Sequence, residues 1–388
     1  MSTITKNNVH LKSKLPDIGT SIFTVMSKMA LDYNAINLAQ GFPDFNCSDE
    51  LIELVNHYQQ KGFNQYAPMA GVPPLREQIS LKMQKLYKRL YNQDSEITVT
   101  AGATQAIYTA ITTIVKPGDE VIILEPAYDS YVPGVKASGG IPIYVKLVPP
   151  DYSYDWDAIR KSVNDKTSLI ILNSPHNPTG SLITEDDILQ LEELTKETDI
   201  KIISDEVYEH IVFEGNEHIS LASSEKLSER TFVISSFGKT FHATGWKMGY
   251  CAAPEYLMKE FQKMHQFIVF SANTPIQYAY ADYLKDKSHY LNLNEFYQKK
   301  RDIFRNKIEG SKFKLMPCKG TYFQLFGYEE VSDLNDKEFS EYLTKEKGIA
   351  VIPLSPFYNE GSSKRIIRVC FAKQDDVLVK AAETLAKL

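Results

Sequence analysis

The sequence predicts an α/β fold in which a mostly parallel central sheet is flanked by helices, with a smaller α+β unit toward the C-terminus. Three observations lead there. Short, nearly all-apolar runs at 97–100, 121–124, 141–145, 167–173, 201–204 and 231–234 alternate with helical stretches, the signature of strands buried on both faces of a parallel sheet. Polar residues collect just past these runs, at Asn177, Asp205, Tyr208 and Lys239, which places them along one edge of the sheet. From about residue 291 the pattern changes to a long amphipathic helix, to about 308, then short strands at 313–316, 322–326 and 366–371 among helices.

In chain order, apolar residues at 21–33 recur at helical spacing, and the run Ile36 to Gln40 leads into Gly41-Phe42-Pro43-Asp44-Phe45. Glycine and proline around Phe42 mark either a plain turn or one whose backbone a ligand can approach. Helices are predicted over 49–60 and 75–90, the second with a lysine-rich face read as solvated. The strand at 97–100 runs into Ala101-Gly102-Ala103-Thr104, which opens an apolar helix to about 115. Small residues at a helix start leave backbone N–H groups free for an anion, so Gly102, Ala103 and Thr104 are candidate phosphate ligands. Tyr128 follows the strand at 121–124, where an aromatic ring either stacks on a flat ligand or packs in the core. Asn177 lies in the loop 173–180, too rich in prolines and amides for a casual connection, and its neighbour His176 is read as structural. Thr184-Glu185-Asp186-Asp187 resembles a capping box for a helix to about 197. A strand at 249–253 and helices at 255–270 and beyond Pro275 complete this part of the chain.

The strand at 231–234 ends in Ser235-Ser236-Phe237-Gly238 and delivers Lys239 into a cleft. A lysine among small residues and an aromatic loses solvation, which lowers its pKa and leaves an amine nucleophilic enough to form a Schiff base. Gly245 and Gly249 flank Lys247 and permit close backbone approach. A phosphate then fits between the hydroxyls of Ser235 and Ser236 and this second cation. An amine that condenses with an aldehyde beside a phosphate cradle points to pyridoxal 5′-phosphate as cofactor. Size and composition agree: 388 residues with 43% hydrophobic and 24% charged content suit two domains with sizeable cores. A net charge of −6 without long runs of one sign argues against a nucleic-acid partner. The four cysteines form no CxxC pair, which argues against a zinc site or disulfide framework and for a reducing compartment. Met1 to His10 is polar, with no apolar stretch of signal-peptide length, and no run approaches a membrane span, so a cytoplasmic protein is expected.

Over nearly its whole length the sequence resembles the class I/II pyridoxal-phosphate-dependent aminotransferases of fold type I. Within them it is most similar to the methionine aminotransferase branch, near the kynurenine and glutamine aminotransferases. The matching stretches are 37–44, 65–71, 100–106, 173–180, 204–210, 235–249 and 367–372; several motifs in one order carry weight that no single one does. The resemblance implies a large cofactor-binding domain at 48–289 and a small domain formed by 1–47 together with 290–388. It implies that Lys239 binds the cofactor aldehyde and, once displaced by substrate, moves a proton as base and acid. Asp205 would pair with the pyridine nitrogen and keep the ring an electron sink. Tyr208 and Asn177 would hydrogen-bond the phenolic oxygen, and Tyr128 and Val207 would enclose the ring. Ala103, Thr104, Ser236 and Lys247 would hold the phosphate, joined by Tyr66 of the partner subunit, so that a homodimer is implied. Arg368 would clamp the substrate α-carboxylate, seconded by Asn177 and the backbone near Gly41.

Phe23, Phe42, Tyr66 and Tyr128, if they line the pocket, favour a large uncharged or aromatic amino acid, methionine first, as donor to a 2-oxo acid in a ping-pong reaction. Two departures from the family pattern stand out: Lys247 where many members have arginine, and Gly238 where many have a hydroxyl residue. Both imply a phosphate held by fewer directional bonds. The alternatives on the same cofactor are β-elimination from cysteine conjugates and kynurenine or glutamine aminotransferase activity. A regulatory module that senses the cofactor is the remote alternative, set back by the lack of a helix-turn-helix extension or basic arm ahead of the fold.

Overall fold

The computed structural model describes residues 11–361 and 364–388; the polar start at 1–10 lies outside the described residues. Seven strands form the main sheet: β1 (Ile97–Thr100), β2 (Glu120–Glu125), β3 (Ile141–Lys146), β4 (Thr167–Asn173), β5 (Lys201–Asp205), β6 (Thr231–Ser236) and β7 (Gly249–Ala252). Their order is β1-β7-β6-β5-β4-β2-β3. Every pairing is parallel except those of β7, which is antiparallel to both β1 and β6. One strand therefore runs against the other six.

The strands are apolar throughout because helices cover both faces. Ile122, Leu124, Ile170, Leu172 and Ile202 pack on one side with Ile188 and Leu191. Their alternate neighbours Val121, Ile123, Leu169, Ile171 and Ile203 pack on the other with Ala106, Ala110, Ile111 and Phe261, as the two-residue period of a strand requires. The parallel arrangement brings the C-terminal ends of β2, β4, β5 and β6 to one edge, and the loops leaving β1 and entering β7 reach the same edge. The site forms there.

A second, antiparallel sheet joins Ile352–Pro353, Ile366–Cys370, Phe323–Gly327 and Lys314–Leu315. Ile36–Asn37 pairs in parallel with Ile349–Ala350, which ties the N-terminal segment to the C-terminal third of the chain.

Several helix boundaries have visible causes. Ile22–Asp32 begins where the Ser21 hydroxyl accepts from the Thr24 N–H at 3.3 Å. The capping box at Thr184 and Asp187 has both of its bonds. The helix expected over 75–90 spans Pro73–Tyr87. It starts earlier because proline suits the first turn, where its missing N–H is not needed, and it ends where Lys88 turns left-handed at φ 63°. Two seven-residue helices, Tyr131–Ala137 and Trp156–Ser162, carry too few turns for their periodicity to register in the sequence.

Candidate active site

A cavity of about 650 Å³ opens at the shared strand edge. Its anion-binding end is made by the turn after β1. Helix Ala103–Ile114 starts behind Gly102, which holds φ 83°, and no side chain caps it, so the first-turn N–H groups are available to a ligand. A Cβ on Gly102 would lie 3.4 Å from the Lys247 ammonium. The cation therefore sits over the helix start, where the helix dipole also favours negative charge. Thr104 and Ser236 line the same recess, and a phosphate fits this cradle. A Cβ on Gly249 would meet the Ser235 carbonyl at 2.6 Å and the Ala103 nitrogen at 3.0 Å, so only glycine lets β7 press so close to the helix start.

One expectation about this end changes, and a second position gains a packing cause. Ser235 does not face the cavity: its hydroxyl donates to the buried Glu209 carboxylate, which also accepts from Tyr87 and from Lys82 Nζ at 2.6 Å. Adjacent residues of a strand point to opposite faces, so of the two serines only Ser236 reaches the recess. The glycine at 238 has a packing cause, since a Cβ there would lie 2.9 Å from Thr244 Cα and 3.1 Å from the Ala243 carbonyl. Gly238→Ser is accordingly expected to destabilise the protein by about 1–3 kcal/mol rather than add a bond to the phosphate. Thermal unfolding with and without pyridoxal phosphate checks this; a raised midpoint that grows with cofactor would contradict it.

Lys239 lies in the short helical turn Phe237–Thr240, where the Ser236 hydroxyl accepts from its N–H at 3.3 Å. Its Nζ donates to the Gly41 carbonyl and to the Tyr322 phenol, each at 2.9 Å. Burial brings its pKa down to about 8, with Arg368 and Lys247 pushing the same way. The side chain remains half-buried because it borders the cavity. Asp205, at the end of β5, is 3% exposed. One carboxylate oxygen accepts from the Tyr131 hydroxyl at 2.6 Å and the other from the Val207 N–H at 3.4 Å. Burial pushes its pKa up to about 6 against the pull of those bonds. Asn173 joins the two neighbouring strand ends: its Nδ2 donates to the Asp205 carbonyl and its Oδ1 accepts from the Asn177 N–H, both at 2.8 Å.

Arg368 sits mid-strand in Ile366–Cys370, 1% exposed. Its two Nη groups donate to Asn177 Oδ1 at 2.7 Å and to the Ala39 carbonyl at 3.2 Å, while Nε has no partner. The Phe323 ring lies 3.9 Å from the guanidinium carbon, and Phe23 and Phe357 lie 5.2 Å away. Desolvation lowers its pKa to about 10, which still leaves it charged at neutral pH. A buried guanidinium held by neutral acceptors alone is prepared for an incoming carboxylate. Donation to Asn177 Oδ1 also fixes that amide so that Nδ2 remains as a donor.

Gly41, Ala103, Asn177, Asp205, Tyr208, Lys239, Lys247 and Arg368 thus border one space, and Tyr128, Val207, Phe23 and Phe42 line it with them. Asp205 and Lys239 open into the same cavity, as the expected roles demand. Tyr66 does not line it. That ring is 85% exposed, edge-on to Phe270 at 5.3 Å, with Thr274 donating to the Gln65 carbonyl at 2.6 Å. His176 is buried against Thr179 at 2.7 Å and burial drops its pKa to about 3, in keeping with a structural part. The sequence reading missed Tyr131, which holds Asp205, and Tyr322, which holds Lys239. Tyr131 follows Tyr128 by three residues at a helix start and so carried a local signal; Tyr322 carried none.

An amine kept nucleophilic beside an anion cradle equips this edge to hold a phosphorylated aldehyde, the arrangement of a pyridoxal-phosphate transferase. The chain matches the family model for aminotransferases of class I and II over residues 33–385 and belongs to that family. Pyridoxal 5′-phosphate is the cofactor of class I/II aminotransferases of this fold, and the chain is a transaminase that acts on amino-acid and oxo-acid substrates. It is 48% identical to methionine aminotransferase of Escherichia coli over 99% of this chain and 100% of that one. It is 33% identical to kynurenine–oxoglutarate transaminase of Dictyostelium discoideum over 95% and 94% of the two chains. The crystal structure of Escherichia coli YbdL, described as having methionine aminotransferase function, superposes with a TM-score of 0.96 over 98% of this chain and 100% of that one, at 48% identity. Among the described residues no helix is long and apolar enough to cross a membrane.

Proposed function

We propose that the enzyme moves the α-amino group of a large uncharged amino acid, methionine first, to a 2-oxo acid by a ping-pong route, with Lys239, Asp205 and Arg368 as its working groups. The observation that carries this reading is that amine, carboxylate and guanidinium line one cavity of about 650 Å³ together with an uncapped helix start. When bound, pyridoxal phosphate supplies the electron sink that makes the substrate Cα–H bond labile. The chain does the rest. Ala103, Thr104, Ser236 and Lys247 hold the phosphate. Asp205, kept in place by Tyr131 and the Val207 N–H, would hold the proton of the pyridine nitrogen, while Tyr208 and Asn177 Nδ2 would donate to the phenolic oxygen. Tyr128 and Val207 confine the ring. Arg368 and Asn177 orient the substrate carboxylate, and Lys239 Nζ takes the Cα proton and later returns one. A pKa of about 8 keeps an appreciable fraction of that amine neutral near pH 7 to 8.

The side-chain end of the cavity is bordered by Phe23, Leu31, Phe42, Ser27 and Gln40. Among the described residues its one cation is Lys28, paired with Asp32 at 2.5 Å. Among those residues no unpaired charge there invites a second carboxylate, and the 48% identity to a methionine aminotransferase supports the same preference. A donor panel scored by kcat/KM is expected to place methionine and phenylalanine at least about tenfold above aspartate; an aspartate preference would refute this specificity.

A homodimer is proposed on the exposed apolar surface around Tyr66, where Phe267 is also 85% exposed and Phe270 43%. Two domains, 48–289 and 1–47 with 290–388, are supported by the pairing of Ile36–Asn37 with Ile349–Ala350. Four free cysteines, three of them buried, fit the reducing cytoplasm.

A further inference from the structure

Tyr322 stands outside every sequence stretch that pointed to the site, yet it closes a triangle with the reactive amine. Lys239 Nζ donates to the Gly41 carbonyl and to Tyr322 Oη at 2.9 Å each, and Oη donates to the same carbonyl at 2.6 Å. A carbonyl only accepts and an ammonium only donates, so facing the protonated lysine the phenolic proton goes to Gly41 at 2.6 Å and the phenol meets Nζ as an acceptor. Burial keeps that proton in place by holding the phenol well above its ordinary pKa.

The phenol is also rigid. Tyr322 is 0% exposed, with Phe323 and Tyr208 packed edge-on at 4.9 and 5.0 Å and Tyr297 at 5.6 Å. Its carbonyl accepts from the Phe371 N–H at 2.9 Å, and the preceding Thr321, at φ 64°, donates to the Ile211 carbonyl at 2.9 Å. A long flexible lysine must come to this fixed oxygen rather than the reverse. With the phenolic proton kept on Gly41, a neutral amine in the triangle has both N–H bonds accepted and turns its lone pair away from these two partners.

We propose that Tyr322 is a positioning residue for the proton transfer: it fixes the free amine of Lys239 at one point, with its lone pair available to the substrate Cα. This rests on the role given to Lys239 above. In the step the Cα–H bond breaks and a third N–H bond forms at Nζ; the electron pair stays with the substrate carbon and is accepted by the bound cofactor. The proton later passes from Nζ to a carbon of the bound cofactor, which restores the neutral triangle. Positioning of this kind acts on the rate of transfer and leaves substrate binding largely alone.

Tyr322→Phe keeps the ring and removes the acceptor together with the O–H that donates to Gly41, whose carbonyl keeps its bond from Lys239; Arg368, Lys247, Asp205, Tyr208 and Cys370, which otherwise set the charge of the lysine, stay in place. Tyr297→Phe is the control, because its hydroxyl has no partner although its ring packs on the same tyrosine. In cofactor-stripped protein, the pH dependence of Lys239 acylation by acetic anhydride, read by mass spectrometry, is expected to move down by about one pH unit in Tyr322→Phe, since the ammonium loses an acceptor. In the holoenzyme with the best donor of the panel, kcat is expected to fall about 10- to 100-fold with KM within about threefold, and the kinetic isotope effect of the Cα-deuterated donor to rise. Tyr297→Phe should match the wild type in all of these. An unmoved labelling midpoint, an unmoved isotope effect, or the same changes in Tyr297→Phe would overturn the proposal. Lys239→Ala separates the two levels: if it remains active, the role of Lys239 itself is wrong; if it is inactive while Tyr322→Phe behaves as wild type, only the positioning fails.

Discussion

Lys239→Ala is expected to lower turnover by at least about 10⁴-fold, because in the proposed mechanism one nitrogen supplies both the covalent attachment and the proton relay. The loss should be chemical rather than structural. The Gly41 carbonyl that accepts from Lys239 keeps its bond from Tyr322 at 2.6 Å, and the Tyr322 hydroxyl, which loses the lysine, keeps that same bond as donor, so neither group is left without a partner. The lysine is also a desolvated cation whose pKa the fold has lowered to about 8 from 10.5. At neutral pH its removal relieves a penalty, and the thermal midpoint of the apoenzyme should stay level or rise. Borohydride treatment followed by denaturation checks the attachment directly: the wild-type chain should retain cofactor at residue 239 and the alanine variant none. Turnover within tenfold of wild type, or cofactor still fixed to the variant chain, would show that another group does this work.

How far the sequence disclosed this site depended on the range of the signal. The parallel sheet was legible because strands covered on both faces must be apolar at every position, as at Ile170 to Leu172 and Ile202 to Ile203. Once those strands are drawn, parallel pairing alone brings Asn177, Asp205 and Lys239 to one edge. What was illegible depended on facing or on distance along the chain. Ser235 and Ser236 are the same residue type side by side, and strand alternation sends one to Glu209 and the other to the cavity. Glu209 follows Asp205 by four residues, yet it is spent on the buried Lys82 pair on the far side of β6. The bonds from Tyr131 to Asp205 and from Lys239 to Tyr322 span 74 and 83 residues. Tyr131 had at most its three-residue spacing from Tyr128 to mark it, and no period or spacing selects Tyr322 from the 23 tyrosines of the chain. The reversed direction of β7 was hidden for the same reason, since an antiparallel strand buried on both faces reads like its parallel neighbours.

Asp205→Asn is expected to separate stability from function. In the apoenzyme the carboxylate is buried, with a hydroxyl and a backbone N–H as its hydrogen-bond donors, and its pKa rises from 3.8 to about 6. A raised acid is favoured by folding only while protonated. Its contribution is therefore least unfavourable below about pH 4 and worsens as pH rises toward 6, reaching about 3 kcal/mol against the folded state at pH 7. Asparagine removes that charge. It also offers one oxygen where Tyr131 and Val207 need two, which costs about 1 kcal/mol, so a net gain of about 1–2 kcal/mol in apoenzyme stability at pH 7 remains. Urea unfolding of the stripped protein should show it, with the wild-type decline between pH 4 and 6 flattened in the variant. With cofactor bound the sign should invert. In the role proposed for it the carboxylate would face the pyridine nitrogen and stabilise its proton, and losing that charge should cut turnover by about 10³-fold and weaken cofactor binding. A variant that is less stable as apoenzyme at pH 7, or that turns over within tenfold of wild type, would place Asp205 in the scaffold instead. A side chain that burdens the apoenzyme and serves only the loaded one has been kept for the charge it presents to the ring.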